Sequence, residues 1–344
     1  MKILSILFEV KNQIGIATLN RSNVLNSLNF EMISALKKQL LVWKNDPDIQ
    51  FVVIKSDSEK AFCAGGDLKE VYQAGKDHDY SFLKMFFEEE YALNQLIFNY
   101  PKPYLSFMNG ITMGGGMGIS VHGSHRIITE NSVLAMPEVF IGFFPDVGGS
   151  YFLNKCPGKI GMLLGLSGYR MNAADALYTG IGTHYIPQKN LPLLWTALTE
   201  TDVSIYPAGG IAAILELFSE PVPMLSPLQQ HRALIDDYFD EEDTGLLVEG
   251  LRLCKNFWMK GVFGKILEAS PLSVAVTHHL LKMSKNISFN EAMKNELDLA
   301  LKFFNTDEVL EGIRSVVIDK DRSPEWKYKS VSSVPEELIE SYFK

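Results

Sequence analysis

Between residues 14 and 108 the chain alternates short β-branched apolar runs with longer stretches in which apolar residues recur every three or four positions. The runs 14–19, 51–54 and 104–108 predict strands, and 30–44 and 81–98 predict helices. Within 30–44, Met32, Ala35, Leu36, Leu40 and Trp43 form one apolar stripe that predicts packing against a sheet, with Asn29 placed to cap the helix. The N-terminal stretch has one basic residue before a short apolar run that meets Glu9 and Lys11, and no small-residue cleavage site follows. It therefore predicts a first strand and not a signal peptide.

Beyond 181–187 strand-like alternation nearly ceases. The remaining chain predicts helices over 191–198, 211–218, 228–239, 243–256, 270–283 and 289–304, with the Pro- and Gly-rich segment 207–226 as a connection between helices. This change sets an expected boundary at 187, between an α/β region over 1–187 and a helical region over 188–344.

Composition narrows the class. A chain of 344 residues with 47% hydrophobic residues has ample material for a core, as one large domain or two smaller ones, and is not a disordered or low-complexity sequence. Thirty-two Lys and Arg against 41 Asp and Glu leave a net charge of −9, which argues against a nucleic-acid coat or a basic membrane-surface protein. No apolar run approaches the roughly 20 residues needed to span a bilayer. Cys63, Cys156 and Cys254 form no C-x-x-C pair, so neither a disulfide framework nor a thiolate zinc site is supported, and a reducing compartment is expected.

Several common chemistries fail on spacing. Ser120 is not in a G-x-S-x-G elbow, 114–118 does not complete G-x-G-x-x-G, Gly158-Lys159 lacks the upstream glycine of a P-loop, and His122 and His125 lack the H-E-x-x-H frame. Two glycine-dense segments, Phe62-Cys-Ala-Gly-Gly-Asp67 and Met113-Gly-Gly-Gly-Met-Gly118, follow predicted strands. Glycine there lets backbone N–H groups approach a ligand closely, and two such loops could offer two donors to one developing oxyanion; each could also be only a tight turn. Further on, Glu138 and Asp146 lie eight residues apart among apolar residues and glycines, surroundings that raise a carboxyl pKa. For Asp146 a plain helix cap is the alternative.

These residues resemble the enoyl-CoA hydratase/isomerase (crotonase) superfamily. Leu19-Asn-Arg21 with Leu25-Asn26, both glycine segments, Pro137-Glu138 and Pro145-Asp-Val-Gly-Gly149 carry the likeness. Glu88-Glu-Glu90-Tyr91, the run 110–152, Leu166-Ser-Gly-Tyr-Arg-Met171, Gly182-Thr-His184 and 317–326 are similar to its subgroup that hydrolyses 3-hydroxyisobutyryl-CoA in valine breakdown. The resemblance implies a crotonase-type spiral core of stacked ββα turns over 1–187, and a helical C-terminal region that closes over the active site. It implies an oxyanion hole from the N–H groups of Gly66 and Gly115. It also implies Glu138, Asp146 and Glu90 at the acyl part of the substrate, with Lys69 against the CoA moiety.

One of the two glutamates usual in hydratases corresponds to Gly118, and a customary basic residue near the nucleotide corresponds to Asn23. A thioesterase is therefore expected, with a hydratase or isomerase and a non-catalytic scaffold as alternatives. The choice between 3-hydroxyisobutyryl and 3-hydroxypropionyl groups is left open. No metal or separate cofactor is expected, since CoA is part of the substrate. The expected partner is a small acyl-CoA, without nucleic acid or membrane. A homo-oligomer is left open, in a bacterial cytoplasm or, for a processed eukaryotic form, the mitochondrial matrix.

Overall fold

The structure, a computed structural model, describes residues 4–203 and 206–344. The start of the N-terminal segment read above, residues 1–3, lies outside the described residues. The predicted first strand is present as β1 (Ile6–Lys11), antiparallel to β2 (Ile14–Leu19). Helix α1 (Phe30–Asn45) follows, and the Asn29 side chain accepts from the Met32 N–H at 2.9 Å, as its cap position requires. Its Trp43 lies on β2 where Gly15 has no side chain: a Cβ there would stand 2.6 Å from the indole.

The chain then sends successive strands alternately into two sheets. β3 (Phe51–Ser56) joins the large sheet, and β4 (Ala61–Cys63) the small one, before α2 (Leu68–Lys76) and α3 (Tyr80–Phe98). β5 (Tyr104–Phe107) and β6 (Ile111–Met113) repeat the step before α4 (Gly115–Gly118). β7 (His125–Ile128) and β8 (Val133–Ala135) repeat it again, and β9 (His184–Tyr185) closes the order β1-β2-β3-β5-β7-β9 beside β4-β6-β8. From β2 to β9 the large-sheet neighbours run parallel. This is the stacked ββα pattern expected for a crotonase-type α/β fold.

After β9 every described regular element is helical. The compact packing units, however, are not drawn at 187. One comprises Met1–Gly66, Ala92–Leu134 and Met171–Gln229, and the other Asp67–Tyr91, Ala135–Arg170 and Gln230–Lys344. Burial explains the first: Leu194, Leu198, Ile211 and Leu215 complete one core with Ile14, Ile16, Phe51, Val53 and Leu105, so the helices Leu191–Glu200 and Pro207–Phe218 stay with the sheet. In the second unit a Cβ on Gly75 would stand 2.5 Å from Leu310, and Phe143 packs edge-on against Phe303 at 5.5 Å.

Two helix expectations change. The segment expected to be a connection begins a helix at Pro207, where a missing N–H and a fixed φ suit the first turn. The single helix expected over 228–239 is two, Pro227–Gln230 and Arg232–Phe239, separated at His231. The helix Phe257–Glu268 was not legible, because Gly261 and Gly264 interrupt its pattern and Phe257 points outward, 92% exposed. No helix among the described residues is long and apolar enough to cross a membrane.

Candidate active site

The two glycine loops belong to the sheet unit and meet backbone to backbone. After β4, the Ala64 N–H donates to the Leu25 carbonyl (3.0 Å) and the Leu28 N–H to the Gly65 carbonyl (2.8 Å). The buried Asn26 side chain accepts from the Arg21 N–H at 2.7 Å and donates to the Ser56 hydroxyl at 2.7 Å and the Phe62 carbonyl at 3.2 Å. This accounts for the Leu25-Asn26 pair in structural terms: it fixes the entry to the first loop.

Gly65 has φ +112°, which only glycine adopts readily, and a Cβ there would lie 3.3 Å from the Met113 carbonyl oxygen of the second loop. A Cβ on Gly116 would fall 2.3 Å from the Cys63 carbonyl oxygen. Side chains are thus excluded by close packing of the loops. Gly115 opens α4, so its N–H has no acceptor within the helix. Among the described residues neither the Gly66 nor the Gly115 N–H donates to a protein acceptor. Gly115 is buried, and a buried N–H without a partner calls for a ligand or water. Gly118 ends the same short helix and is buried too, so no carboxylate stands at that position.

The acids belong to the helical unit. Glu138 starts a short helical turn, Glu138–Ile141, just past β8; Asp146 follows on a loop, and Glu90 and Tyr91 lie on α3. All three carboxylates are almost fully buried, at 3% exposure for Glu90 and 6% for both Glu138 and Asp146. Phe87, Phe143, Phe144, Phe303 and Phe304 form a continuous aromatic cluster in this unit, with Tyr91 5.9 Å from Phe87, so water is largely excluded.

Burial first, and then the charge of Asp146, holds both the Glu90 and the Glu138 carboxyls well above the usual carboxylate range. Burial pushes Asp146 up to about 7, against the pull of the Tyr91 hydroxyl, which donates to its Oδ2 at 2.8 Å. Glu90 Oε1 and Glu138 Oε2 have no hydrogen-bond partner among the described residues. Such a cluster keeps protons near neutral pH and is suited to exchanging them with a bound reactant.

Asp146 is not the cap of the helix that follows it, Gly149–Phe152. That helix is entered through Val147 (φ +50°) and Gly148 (φ +87°), with the Gly149 N–H closing on the Asp146 carbonyl at 2.7 Å. A β-branched residue in the left-handed region costs of order 1–3 kcal/mol and needs external support. The support is Glu296, fully buried on the helix Phe289–Phe303. Its Oε2 accepts from the Gly148 N–H at 2.7 Å, and its Oε1 from the Ser150 N–H at 2.9 Å and the Ser150 hydroxyl at 2.5 Å.

Sequence reasoning missed Tyr91, Ser150 and Glu296. For Glu296 a signal existed: it falls on the apolar stripe Phe289, Ala292, Met293, Leu299, Ala300 and Phe303, where a charge is out of place. Lys69, by contrast, is exposed on the first turn of α2; its backbone N–H donates to Asp67 Oδ1 at 3.2 Å, and among the described residues its ammonium group makes no ion pair. His125 stacks on His184 with ring centroids 5.8 Å apart, and its Nδ1 pairs with the Ser124 hydroxyl at 2.8 Å. Among the described residues no group of three or more His, Cys, Asp or Glu is arranged to hold a metal ion.

Proton linkage gives a direct check on the acid cluster. The Asp146 carboxyl ionises near 3.8 in an ordinary setting and near about 7 in the fold. The folded state therefore holds an extra proton between those values, so the stability tied to this group is full below the lower and lost as pH rises through the upper. In alkali the buried charge costs on the order of 4 kcal/mol. Asp146→Asn removes it and leaves an amide oxygen to accept from Tyr91. The gain in Tm over the parent is expected to be larger at about pH 8 than at about pH 5, by several degrees. Equal gains at both, read by calorimetry, would mean that the carboxyl is not held protonated.

The family model of enoyl-CoA hydratase/isomerase matches residues 14–343. A mitochondrial 3-hydroxyisobutyryl-CoA hydrolase of Danio rerio is 36% identical over 342 residues, covering 98% of this chain and 89% of that protein. The mitochondrial 3-hydroxyisobutyryl-CoA hydrolase of Homo sapiens is 35% identical over 346 residues, with coverage of 98% and 88%. Among solved structures, a carnitinyl-CoA dehydratase from Mycobacterium thermoresistibile superposes with a TM-score of 0.92 at 32% identity, covering 99% of this chain and 96% of the other. An enoyl-CoA hydratase from Rhodobacter sphaeroides gives 0.91 at 33% identity, with coverage of 99% and 97%.

Proposed function

The chain belongs to the enoyl-CoA hydratase/isomerase family, and from that membership we propose that it is a thioesterase hydrolysing 3-hydroxyisobutyryl-CoA to 3-hydroxyisobutyrate and CoA, a step of valine catabolism. The observation that carries this reading is the pairing of Glu138 with Asp146 in one dry acidic cluster while the second hydratase acid is replaced by Gly118. The structural neighbours described as a dehydratase and a hydratase keep water addition as the alternative.

In this reading the N–H groups of Gly66 and Gly115 take the negative charge that develops on the thioester oxygen. Glu138 delivers the nucleophile. It either adds to the thioester carbonyl, expelling CoA thiolate and leaving a mixed anhydride for water to cleave, or removes a proton from the attacking water. Asp146, held by Tyr91, receives the substrate hydroxyl, and Glu90 lines the acyl end. Lys69 meets the CoA phosphates. No cofactor is required, and the acyl-CoA substrate is the only partner assigned. The mitochondrial relatives favour the matrix for a eukaryotic form of this chain.

Thiol release and loss of enoyl absorbance, followed side by side, test the activity. Purified protein should release CoA from 3-hydroxyisobutyryl-CoA and leave crotonyl-CoA largely unhydrated; fast hydration with negligible thiol release reverses the assignment. A second comparison tests Asp146. A hydrogen bond to a buried charged group is worth about 1.5–3 kcal/mol, or roughly 10–100-fold. Asp146→Asn should lower kcat/KM for 3-hydroxyisobutyryl-CoA by that factor relative to isobutyryl-CoA, which lacks the hydroxyl. An equal loss on both esters removes Asp146 from the hydroxyl.

A further inference from the structure

The loop that carries Asp146 is held from far along the chain. Glu296 lies 148 residues beyond Gly148 in sequence, yet both of its carboxylate oxygens accept from this one loop. The helix that presents it is firmly placed. A capping box fixes its start, where Ser288 and Glu291 bond each other's backbone N–H groups, and buried Phe289 and Phe303 secure its two ends. Phe289 also meets Tyr151, one residue beyond Ser150, edge-on at 5.4 Å. The helix that carries the acceptor is thus anchored at both ends, with Glu296 between them.

The turn needs that acceptor. Two successive residues, Val147 and Gly148, are left-handed, and Val147 is 1% exposed, so its side chain cannot swing outward to relieve the backbone. Relaxation of Val147 towards an ordinary β-branched conformation would reorient Asp146, its immediate neighbour. The Tyr91 hydroxyl donates to one Asp146 oxygen, which fixes that oxygen but not the backbone beneath it.

We propose that Glu296 is a positioning residue for the reaction: by accepting from the Gly148 N–H, the Ser150 N–H and the Ser150 hydroxyl, it locks the strained Val147–Gly148 turn and thereby aims the Asp146 carboxylate. The inference rests on the reading of Asp146 as the group that meets the substrate hydroxyl. Both oxygens of Glu296 serve as acceptors here, Oε2 for the Gly148 N–H and Oε1 for the Ser150 N–H and hydroxyl. The amide of a glutamine at the same place turns an N–H₂ towards one of these donors.

The test compares Glu296→Gln, Asp146→Asn, their double variant and Ser150→Ala. With Glu296→Gln, amide hydrogen exchange should quicken at Gly148 and Ser150. On 3-hydroxyisobutyryl-CoA, kcat should fall about 10–100-fold with KM changed little, the size expected when a reacting group is misplaced by about 1 Å. Activity on isobutyryl-CoA should fall much less. The double variant should be no worse than Asp146→Asn alone, because an aim lost through Glu296 cannot be lost twice. Ser150→Ala removes one of the three donors and should show the same pattern at smaller amplitude, which keeps the proposal open to test if Glu296→Gln does not fold.

Unchanged exchange at Gly148 and Ser150, or losses from Glu296→Gln that simply add to those from Asp146→Asn, would overturn the proposal. So would an equal fall on both esters. If Glu296→Gln loosens the turn and lowers kcat while Asp146→Asn keeps parental selectivity, the assignment of the hydroxyl to Asp146 fails, and the aiming of the reaction through Asp146 fails with it. Parental selectivity in Asp146→Asn with the loop still held in Glu296→Gln rejects both.

Discussion

Glu138→Gln should leave a folded protein that binds CoA esters but hydrolyses every thioester far more slowly, with kcat lowered by about 10²–10⁴-fold. The expectation follows from the side chain's surroundings. Glu138 is buried, desolvation and the nearby Asp146 charge hold its carboxyl well above the usual range, and its Oε2 has no partner among the described residues. A carboxylate that ionises reluctantly is a stronger base and nucleophile than an exposed one, and an unsatisfied buried oxygen is poised for water or substrate. Glutamine keeps the shape and removes a buried charge, so folding should not suffer. Single turnover in H₂¹⁸O with enzyme in excess separates the two roles: label in Glu138 supports the anhydride, and label confined to the product acid supports the base. Substantial hydrolysis by Glu138→Gln would end the assignment of the site.

The second large effect belongs to a backbone group. Losing one oxyanion donor typically costs about 10²–10³-fold in kcat, and Gly66→Pro removes the N–H outright. Gly66→Ala is the control, since it adds a methyl group and keeps the donor. A loss of that size in the proline variant with a much smaller one in the alanine variant, both with parental circular dichroism, assigns the oxyanion to the Gly66 N–H. Near-parental turnover in a folded Gly66→Pro would show that the first loop does not supply it.

The legible parts of the site were those in which chemistry dictates residue type locally. Gly65 and Gly116 must lack side chains because the backbones of the two loops touch there, and that demand is written as glycine. Glu138 stood out as a charge between Met136 and Phe140. The strands β4, β6 and β8 were harder to read, because each has only three residues, too few to show a period. Local sequence left Asp146 open between cap and functional acid, and could not decide, because the group that takes those N–H bonds is Glu296, on a helix far down the chain. The packing units were illegible for a similar reason: what assigns 191–218 to the sheet is a shared core, whereas the shift in periodicity at 187 records only where strands stop.

The acid cluster also changes the charge that the folded molecule presents. The value of −9 counts every Asp and Glu as ionised. Glu90, Glu138, Asp146 and Glu296 all have raised carboxyl pKa values, with Asp146 at about 7 and Glu296 at about 8. In mildly acid solution the native protein therefore carries fewer negative charges than its unfolded chain. Over the same range His125 and His278, pushed down to about 4 by burial, give up positive charge that the unfolded chain keeps, so folding alters the titration of both signs.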